Sequence, residues 1–125
     1  MKKVGYNPDE IDAAETEGEV LAFLRSPEKE YELAIIDLML SAPPVKKEGL
    51  ELIVALSHKC PDCRIIGLTT KAGLEEGVEM LDAGAHDFVH SASNELPWHE
   101  LLEQRVRLWR GLIAKRRRPL IVSLS

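Results

Sequence analysis

Hydrophobic and polar positions follow one another along the chain in blocks that predict strands and helices in turn. The segment at 33–37, LAIID, is continuously apolar up to its last residue, and the segment at 64–70, RIIGLTT, has the same character. Runs of this kind are typical of parallel strands that are covered on both faces. Shorter strands are predicted at 2–6 and at 86–90. The pattern therefore indicates a sheet with a buried centre.

Apolar residues recur at helical spacing between these strands. The segments at 49–59, 72–84 and 95–113 each place several apolar side chains on one face, and Gly84 suits the position after a helix end. Thr16 and Glu19 form a capping box that can start a helix. Strands that alternate with helices are typical of an α/β fold with right-handed crossovers. We therefore expect an open parallel sheet with helices on both faces.

Polar residues stand where the predicted strands end. Asp37 closes an apolar run, and a carboxylate in such surroundings is costly unless it is paired, bound to a metal or protonated. Thr69 ends the next strand, and His90 and Ser91 follow the one after it. Because sites in parallel α/β sheets form at the carboxyl ends of strands, we expect these residues to border one crevice.

Composition limits the classes of protein to which the chain can belong. Its 125 residues suit one domain, and a net charge of −5 argues against general nucleic-acid binding by the domain body. No signal-peptide pattern follows the first residues, and no apolar run approaches the roughly 20 residues of a membrane span. Two cysteines are too few for a disulfide framework. We therefore expect a cytoplasmic setting and no membrane contact.

Several segments together resemble the receiver domain of two-component response regulators. YELAIIDLML resembles the phosphoacceptor strand, with Asp37 in the acceptor place, and GLELIVAL resembles the helix that follows it. RIIGLTT resembles the strand that ends in a hydroxyl switch residue, here Thr69, and GVEMLDAGAHDFV resembles the helix and strand before the receiver's lysine. The resemblance runs from about Glu17 to Leu112 and implies a flavodoxin-like fold.

The resemblance also implies a chemistry. Asp37 would accept a phosphoryl group from a histidine kinase or a phosphotransfer protein, so the enzymatic activity would at most be self-phosphorylation. Mg²⁺ would be held by Asp37, by Asp9 and Glu10 as the acidic pair, and by the backbone of Met39. A shift at Thr69 would then signal to a downstream protein by contact, with a homodimer as a further expectation.

The chain departs from the receiver pattern in three places. Ser91 stands at the expected position of the lysine, the loop at 41–49 is long, and the part before Asp37 is short by about one strand and one helix. Without the lysine, one cation that would contact the phosphoryl oxygens is absent. The alternative function is therefore a pseudo-receiver, a binding or scaffold module that no longer accepts phosphate.

The short N-terminal part has two interpretations. In the first, 2–6 is the central first strand, a helix starts at Asn7, and Asp9 and Glu10 fall near the acidic pair; the capping residues at Asn7 and Pro8 favour it. In the second, 4–17 holds the end of the usual first helix and the second strand. The segment 118–125, RPLIVSLS, then fills the central position in its own chain, as in a circular permutation, or in a neighbouring chain. The second interpretation removes the acidic pair, because SLS stands in its place.

The remaining candidates have plainer interpretations. We expect a receiver-like domain at 1–114 and a basic tail at 115–125, with an extra or swapped strand in the tail. The run KRRRP is interpreted as a solvated helix end, and Cys60 and Cys63 as incidental surface cysteines. Phe88 resembles the aromatic residue that changes rotamer in receivers, although a core position is an equal alternative.

Overall fold

The computed structural model describes residues 11–26, 31–37, 43–69, 75–90, 98–112 and 118–123. Strands and helices alternate along these residues. Their order is β1 (Asp12–Ala14), α1 (Glu17–Arg25), β2 (Tyr31–Asp37), α2 (Pro43–Lys59), β3 (Arg64–Thr69), α3 (Glu75–Ala83), β4 (Asp87–His90), α4 (Trp98–Leu112) and β5 (Arg118–Ser123).

The described strands form one parallel sheet in the order β1-β5-β2-β3-β4. The last strand of the chain therefore lies inside the sheet, where Ile121 of β5 is level with Ala13 of β1 and with Ile35 of β2. If β5 is counted as the first strand and β1 to β4 as the second to the fifth, the order across the sheet becomes 2-1-3-4-5. This is the flavodoxin-like order. The predicted flavodoxin-like sheet is confirmed, with its connectivity circularly permuted.

Two parts of the second interpretation are thus confirmed, because the strand expected within 4–17 is β1 and the segment 118–123 fills the central position in its own chain. The central place that the first interpretation gave to 2–6 is wrong. Strand β2 has β5 on one side and β3 on the other, so the central place assigned to 2–6 is already filled. Segment 2–6 itself lies outside the described residues. The helix predicted to start at Asn7 does not continue along the chain as expected, because Asp12–Ala14 is strand β1. Capping residues report only local preference, and pairing with β5 outweighs it.

The helices cover the two faces of the sheet unequally. Helices α1, α2 and α3 pack on one face, in a core that includes Val20, Leu56 and Met80. Helix α4 packs on the other face through Leu102 and Val106. The connections through α1, α2 and α3 each move in the same direction across the sheet. The connection through α4 runs back in the opposite direction, from β4 to β5. Because both the direction and the face are reversed, all four crossovers have the same hand, as parallel sheets require.

Helix boundaries agree with the local signals in one case and not in another. Thr16 caps α1, where its Oγ1 accepts a hydrogen bond from the backbone N–H of Glu19 at 3.1 Å. The predicted N-cap at Thr16 is confirmed, and the Thr16 hydroxyl also donates a hydrogen bond to the Glu19 carboxylate at 3.4 Å. Helix α2 begins at Pro43, within a stretch predicted as loop. Proline is compatible with the first turn of a helix, so the two prolines there did not exclude this start.

Gly84 ends α3 with a φ of +123°, and its close neighbour is Ser57 of α2. A Cβ at this position would lie 2.8 Å from the Ser57 Cβ. Gly84→Ala should therefore lower the free energy of unfolding by about 1–3 kcal/mol, through backbone strain and crowding. Urea denaturation measures the change. Gly111→Ala in α4 is the matched control, because nothing lies within 4 Å of its added Cβ and stability should not fall. Equal effects at the two positions would contradict this account.

Candidate functional site

Four neighbouring strands bring candidate residues to the carboxyl edge of the sheet. Asp37 ends β2, and its partners in the register are Ser123 of β5 and Leu68 of β3. Thr69 ends β3 and is level with His90 of β4. The backbones of Asp37, Thr69, His90 and Ser123 therefore share one edge, which is where parallel α/β sheets form their sites.

Thr69 lies at this edge with no exposed surface. Its strand is packed closely at Gly67, because a Cβ there would lie 2.3 Å from the sulfur of Met80 in α3. Strand β3 is thus held tightly against α3 just before Thr69. The other predicted site residues, Asp9, Glu10, Met39 and Ser91, lie outside the described residues.

The position of β5 changes the expected metal site. The resemblance places an acidic pair at the end of the central strand, and this chain has Ser123 there, level with Asp37. The role predicted for Asp9 and Glu10 rested on 2–6 being the central strand, and this basis is gone. Mg²⁺ favours carboxylate oxygens, and within the described residues no group of three or more His, Cys, Asp or Glu side chains is placed to hold a metal.

A buried polar pair, which the sequence did not indicate, lies at the opposite edge of the sheet. The Tyr31 hydroxyl donates a hydrogen bond to Asp12 Oδ2 at 2.7 Å, and both side chains are buried. Asp12 begins β1 and Tyr31 begins β2, so the bond crosses over β5, which lies between them. Breaking a buried hydrogen bond is costly, because its donor and acceptor would be left without partners and away from water. This pair therefore fixes the two strands on either side of β5.

His86 joins β3 to the loop before β4. The ring Nδ1 of His86 accepts a hydrogen bond from the Ile65 N–H at 3.0 Å, and the backbone N–H of His86 donates to the Ile65 carbonyl at 2.8 Å. The ring lies edge-on to Trp109 of α4, whose Nε1–H donates to Asp87 at 3.0 Å. Burial and the nearby Arg64 guanidinium lower the pKa of His86 from its ordinary 6.5. The contacts indicate a structural role for a neutral His86, far from the Asp37 edge.

Stability should depend on pH through His86. Its pKa is lower in the folded chain than in the unfolded chain, so the unfolded chain binds more protons as the pH falls below about 6.5. The contribution of His86 is therefore complete above that pH and is lost as the pH falls through the lowered value. When the pH is lowered from about 7.5 to about 5.5, the urea midpoint should fall more in the parent than in His86→Gln. A fall in His86→Gln as large as the fall in the parent would refute the prediction.

Comparisons with known proteins were made for both sequence and structure. No protein-family model matches the chain, and no curated protein matches it. Solved structures do match. A response regulator from Thermotoga maritima shares 23% identity over 76% of this chain and 73% of its own, with a TM-score of 0.56. A response regulator protein from Burkholderia pseudomallei, with a phosphorylated aspartic acid, calcium ion and citrate, shares 23% identity with a TM-score of 0.58.

The lengths covered differ between these structures. The chain aligns over 91% of its length with the Burkholderia protein but spans 64% of that protein. A CheY-like response regulator receiver domain protein from Methanospirillum hungatei shares 27% identity, over 78% of this chain and 73% of its own, with a TM-score of 0.52. No helix within the described residues has the length and apolarity that crossing a membrane requires. The chain has the CheY-like fold of response regulator receiver domains, in a permuted form whose central strand comes from residues 118–123.

Proposed function

We propose that this chain is a receiver-like signalling module that acts by protein contact and has lost phosphoryl transfer at Asp37. The observation that carries the proposal is the register of β5, which puts Ser123 level with Asp37 where the resemblance expects an acidic pair. Ser91 stands where the resemblance expects the lysine. Two of the charged groups that serve the acceptor aspartate in receivers are thus replaced by serines.

The missing charges matter because phosphoryl transfer depends on them. Catalysis in this reaction is mostly positioning and electrostatic stabilisation of the transferring group. Mg²⁺ is usually bound through one or two carboxylates together with phosphate oxygens and water. A serine hydroxyl can donate a hydrogen bond but carries no charge, so it neither holds the cation firmly nor replaces an ammonium group. Both phosphorylation and the response to it should therefore be weak.

What remains for function is the surface of the fold. Receivers of the resembled family contact a histidine kinase or a phosphotransfer protein and also a downstream protein. We assign both kinds of partner to this chain as protein-contact partners, in a cytoplasmic setting. The net charge of −5 gives the domain body no general affinity for nucleic acid.

A working phosphoacceptor is the second candidate. It is favoured by the strand ends themselves, because Asp37 ends β2 and Thr69 ends the neighbouring β3. One structural neighbour is described as carrying a phosphorylated aspartic acid. On this candidate Asp37 is the nucleophile, Thr69 is the switch hydroxyl, and Mg²⁺ is held by Asp37 and the Met39 backbone with other donors.

Intact mass spectrometry separates the two candidates. The chain is incubated with Mg²⁺ and a small acyl phosphate, with Asp37→Asn treated in parallel. Our proposal predicts no phosphoryl gain in either protein and no effect of Mg²⁺ on the urea midpoint. A gain of one phosphoryl group in the parent and none in Asp37→Asn would overturn the proposal and establish the second candidate.

A further inference from the structure

We propose that Cys60 and Cys63 form a reversible intramolecular disulfide by exchange with a low-molecular-weight disulfide such as oxidised glutathione. The two cysteines lie in CPDC, between the end of α2 and the start of β3. The structure holds both as thiols. This inference concerns a part of the molecule far from the Asp37 edge and does not depend on the proposed function.

The backbone places the two cysteines at disulfide distance. The Cys63 N–H donates a hydrogen bond to the Cys60 carbonyl at 2.9 Å, and residues 61 and 62 form the turn between them. A four-residue turn of this kind keeps its first and last Cα atoms within about 7 Å. Disulfides typically join Cα atoms about 4.4–6.8 Å apart. The hydrogen-bonded turn therefore keeps the Cα atoms of Cys60 and Cys63 within or close to the disulfide range.

The exposure of the two thiols is unequal. Cys63 is 1% exposed and belongs to the core under α1–α3, whereas Cys60 is half-buried and packs against the edge of that core. A dissolved disulfide can therefore reach Cys60 but not Cys63. Cys63 follows Cys60 across a four-residue turn, so its sulfur has only to meet the Cys60 sulfur of the same chain. This division gives an attacking cysteine and a resolving cysteine.

The exchange balances in two steps. The Cys60 thiol loses its proton, and its sulfur attacks one sulfur of the oxidised glutathione, which forms a mixed disulfide and releases one glutathione thiolate. The Cys63 sulfur, also deprotonated, then attacks the Cys60 sulfur of the mixed disulfide and releases the second glutathione thiolate. The two glutathione thiolates take up the two protons. The protein loses two hydrogens and two electrons, and the glutathione disulfide is reduced to two thiols.

The position of Cys60 at the end of a helix affects how readily its thiol reacts. Cys60 follows the carboxyl end of α2, and its N–H donates to the Leu56 carbonyl at 2.8 Å. The carboxyl end of a helix carries partial negative charge, which disfavours a thiolate there. Exchange should therefore be slower than at a cysteine pair that starts a helix. The pair suits a response to sustained oxidation rather than rapid catalysis of disulfide exchange.

Cysteine variants in oxidised glutathione test the proposal, with intact mass as the readout. The parent should lose two hydrogens and remain monomeric. Cys63→Ser should stop with one glutathionyl group, whereas Cys60→Ser should stay unmodified because Cys63 is buried. The disulfide should also form with an equilibrium constant at least about tenfold higher in the folded chain than in the urea-unfolded chain.

Three results would overturn the proposal. The first is a parent that keeps both thiols under conditions that oxidise the unfolded chain. The second is a disulfide that joins two chains, seen as a dimer on a non-reducing gel. The third is an equilibrium constant that is no higher in the folded chain than in the unfolded one, which would mean that the fold does not favour the bond.

Discussion

Deletion of residues 118–125 is expected to unfold the whole domain and not only to shorten its end. Strand β5 lies between β1 and β2, and Leu120 and Val122 have no exposed surface. Burying two such side chains contributes about 1.5–3 kcal/mol each, and the deletion also removes the hydrogen bonds that β5 exchanges with both neighbours. Since a domain of this size is stable by only about 5–15 kcal/mol in total, this loss is comparable with all of it.

Circular dichroism and urea denaturation measure this outcome. The shortened chain should show no cooperative unfolding transition, and a synthetic peptide of residues 118–125 should restore part of the helical signal. A substitution pair tests the same strand without deletion. Val122→Asp should cost about 4 kcal/mol or more, whereas Ala13→Asp, exposed on the edge strand β1, should cost under about 1 kcal/mol. A shortened chain that unfolds at the parent's urea midpoint would show that β5 is dispensable.

The strand and helix order could be predicted because each element carries its own local pattern. Residues 33–36 of β2 and 65–68 of β3 are continuously apolar, as buried parallel strands are, and Thr16 caps α1 where the sequence indicates. Gly84 ends α3 in the left-handed conformation that glycine favours. These features depend on residues a few positions apart, so a single sequence contains them.

The place of each strand in the sheet depends on contacts between distant residues. The apolar sequence of β5 suits an edge strand, a central strand or a strand exchanged with a neighbouring chain. Only the register of Leu120, Ile121 and Val122 with β1 and β2 shows that β5 lies inside the sheet. The local signal at Asn7 and Pro8 pointed to a helix, whereas the tertiary context makes Asp12–Ala14 a strand. The bond between Tyr31 and Asp12 was missed for the same reason, because it joins two strands across a third.

The candidate site shows the same division between local and distant information. That Asp37 and Thr69 end their strands follows from the apolar runs that precede them. Which residues stand beside Asp37 depends on which segment is the central strand. Once β5 holds that place, Ser123 is the residue level with Asp37. The expectation that Asp9 and Glu10 supply the acidic pair rested on a strand order that the structure does not have.

Restoring the missing charges should restore the chemistry. In Ser123→Asp a carboxylate enters level with Asp37, and in Ser91→Lys an ammonium group enters where the receiver resemblance places it. The double variant should bind Mg²⁺ at least about tenfold more tightly than the parent, a gain of about 1.4 kcal/mol. It should also gain one phosphoryl group from a small acyl phosphate in the presence of Mg²⁺. Calorimetric titration measures the first effect and intact mass the second.

Two controls test whether the gains in Mg²⁺ affinity and phosphoryl acceptance depend on the edge at Asp37. Adding Asp37→Asn to the double variant should abolish the phosphoryl gain, because the nucleophile is then absent. Ala13→Asp adds the same charge as Ser123→Asp on the exposed edge strand, and it should leave Mg²⁺ affinity at the parent's level. A double variant that stays folded but neither binds Mg²⁺ nor accepts phosphate would show that the fold at this edge lacks more than charge. The loss of function proposed for the parent would then lie in the placement of Asp37 itself, and not in Ser91 and Ser123.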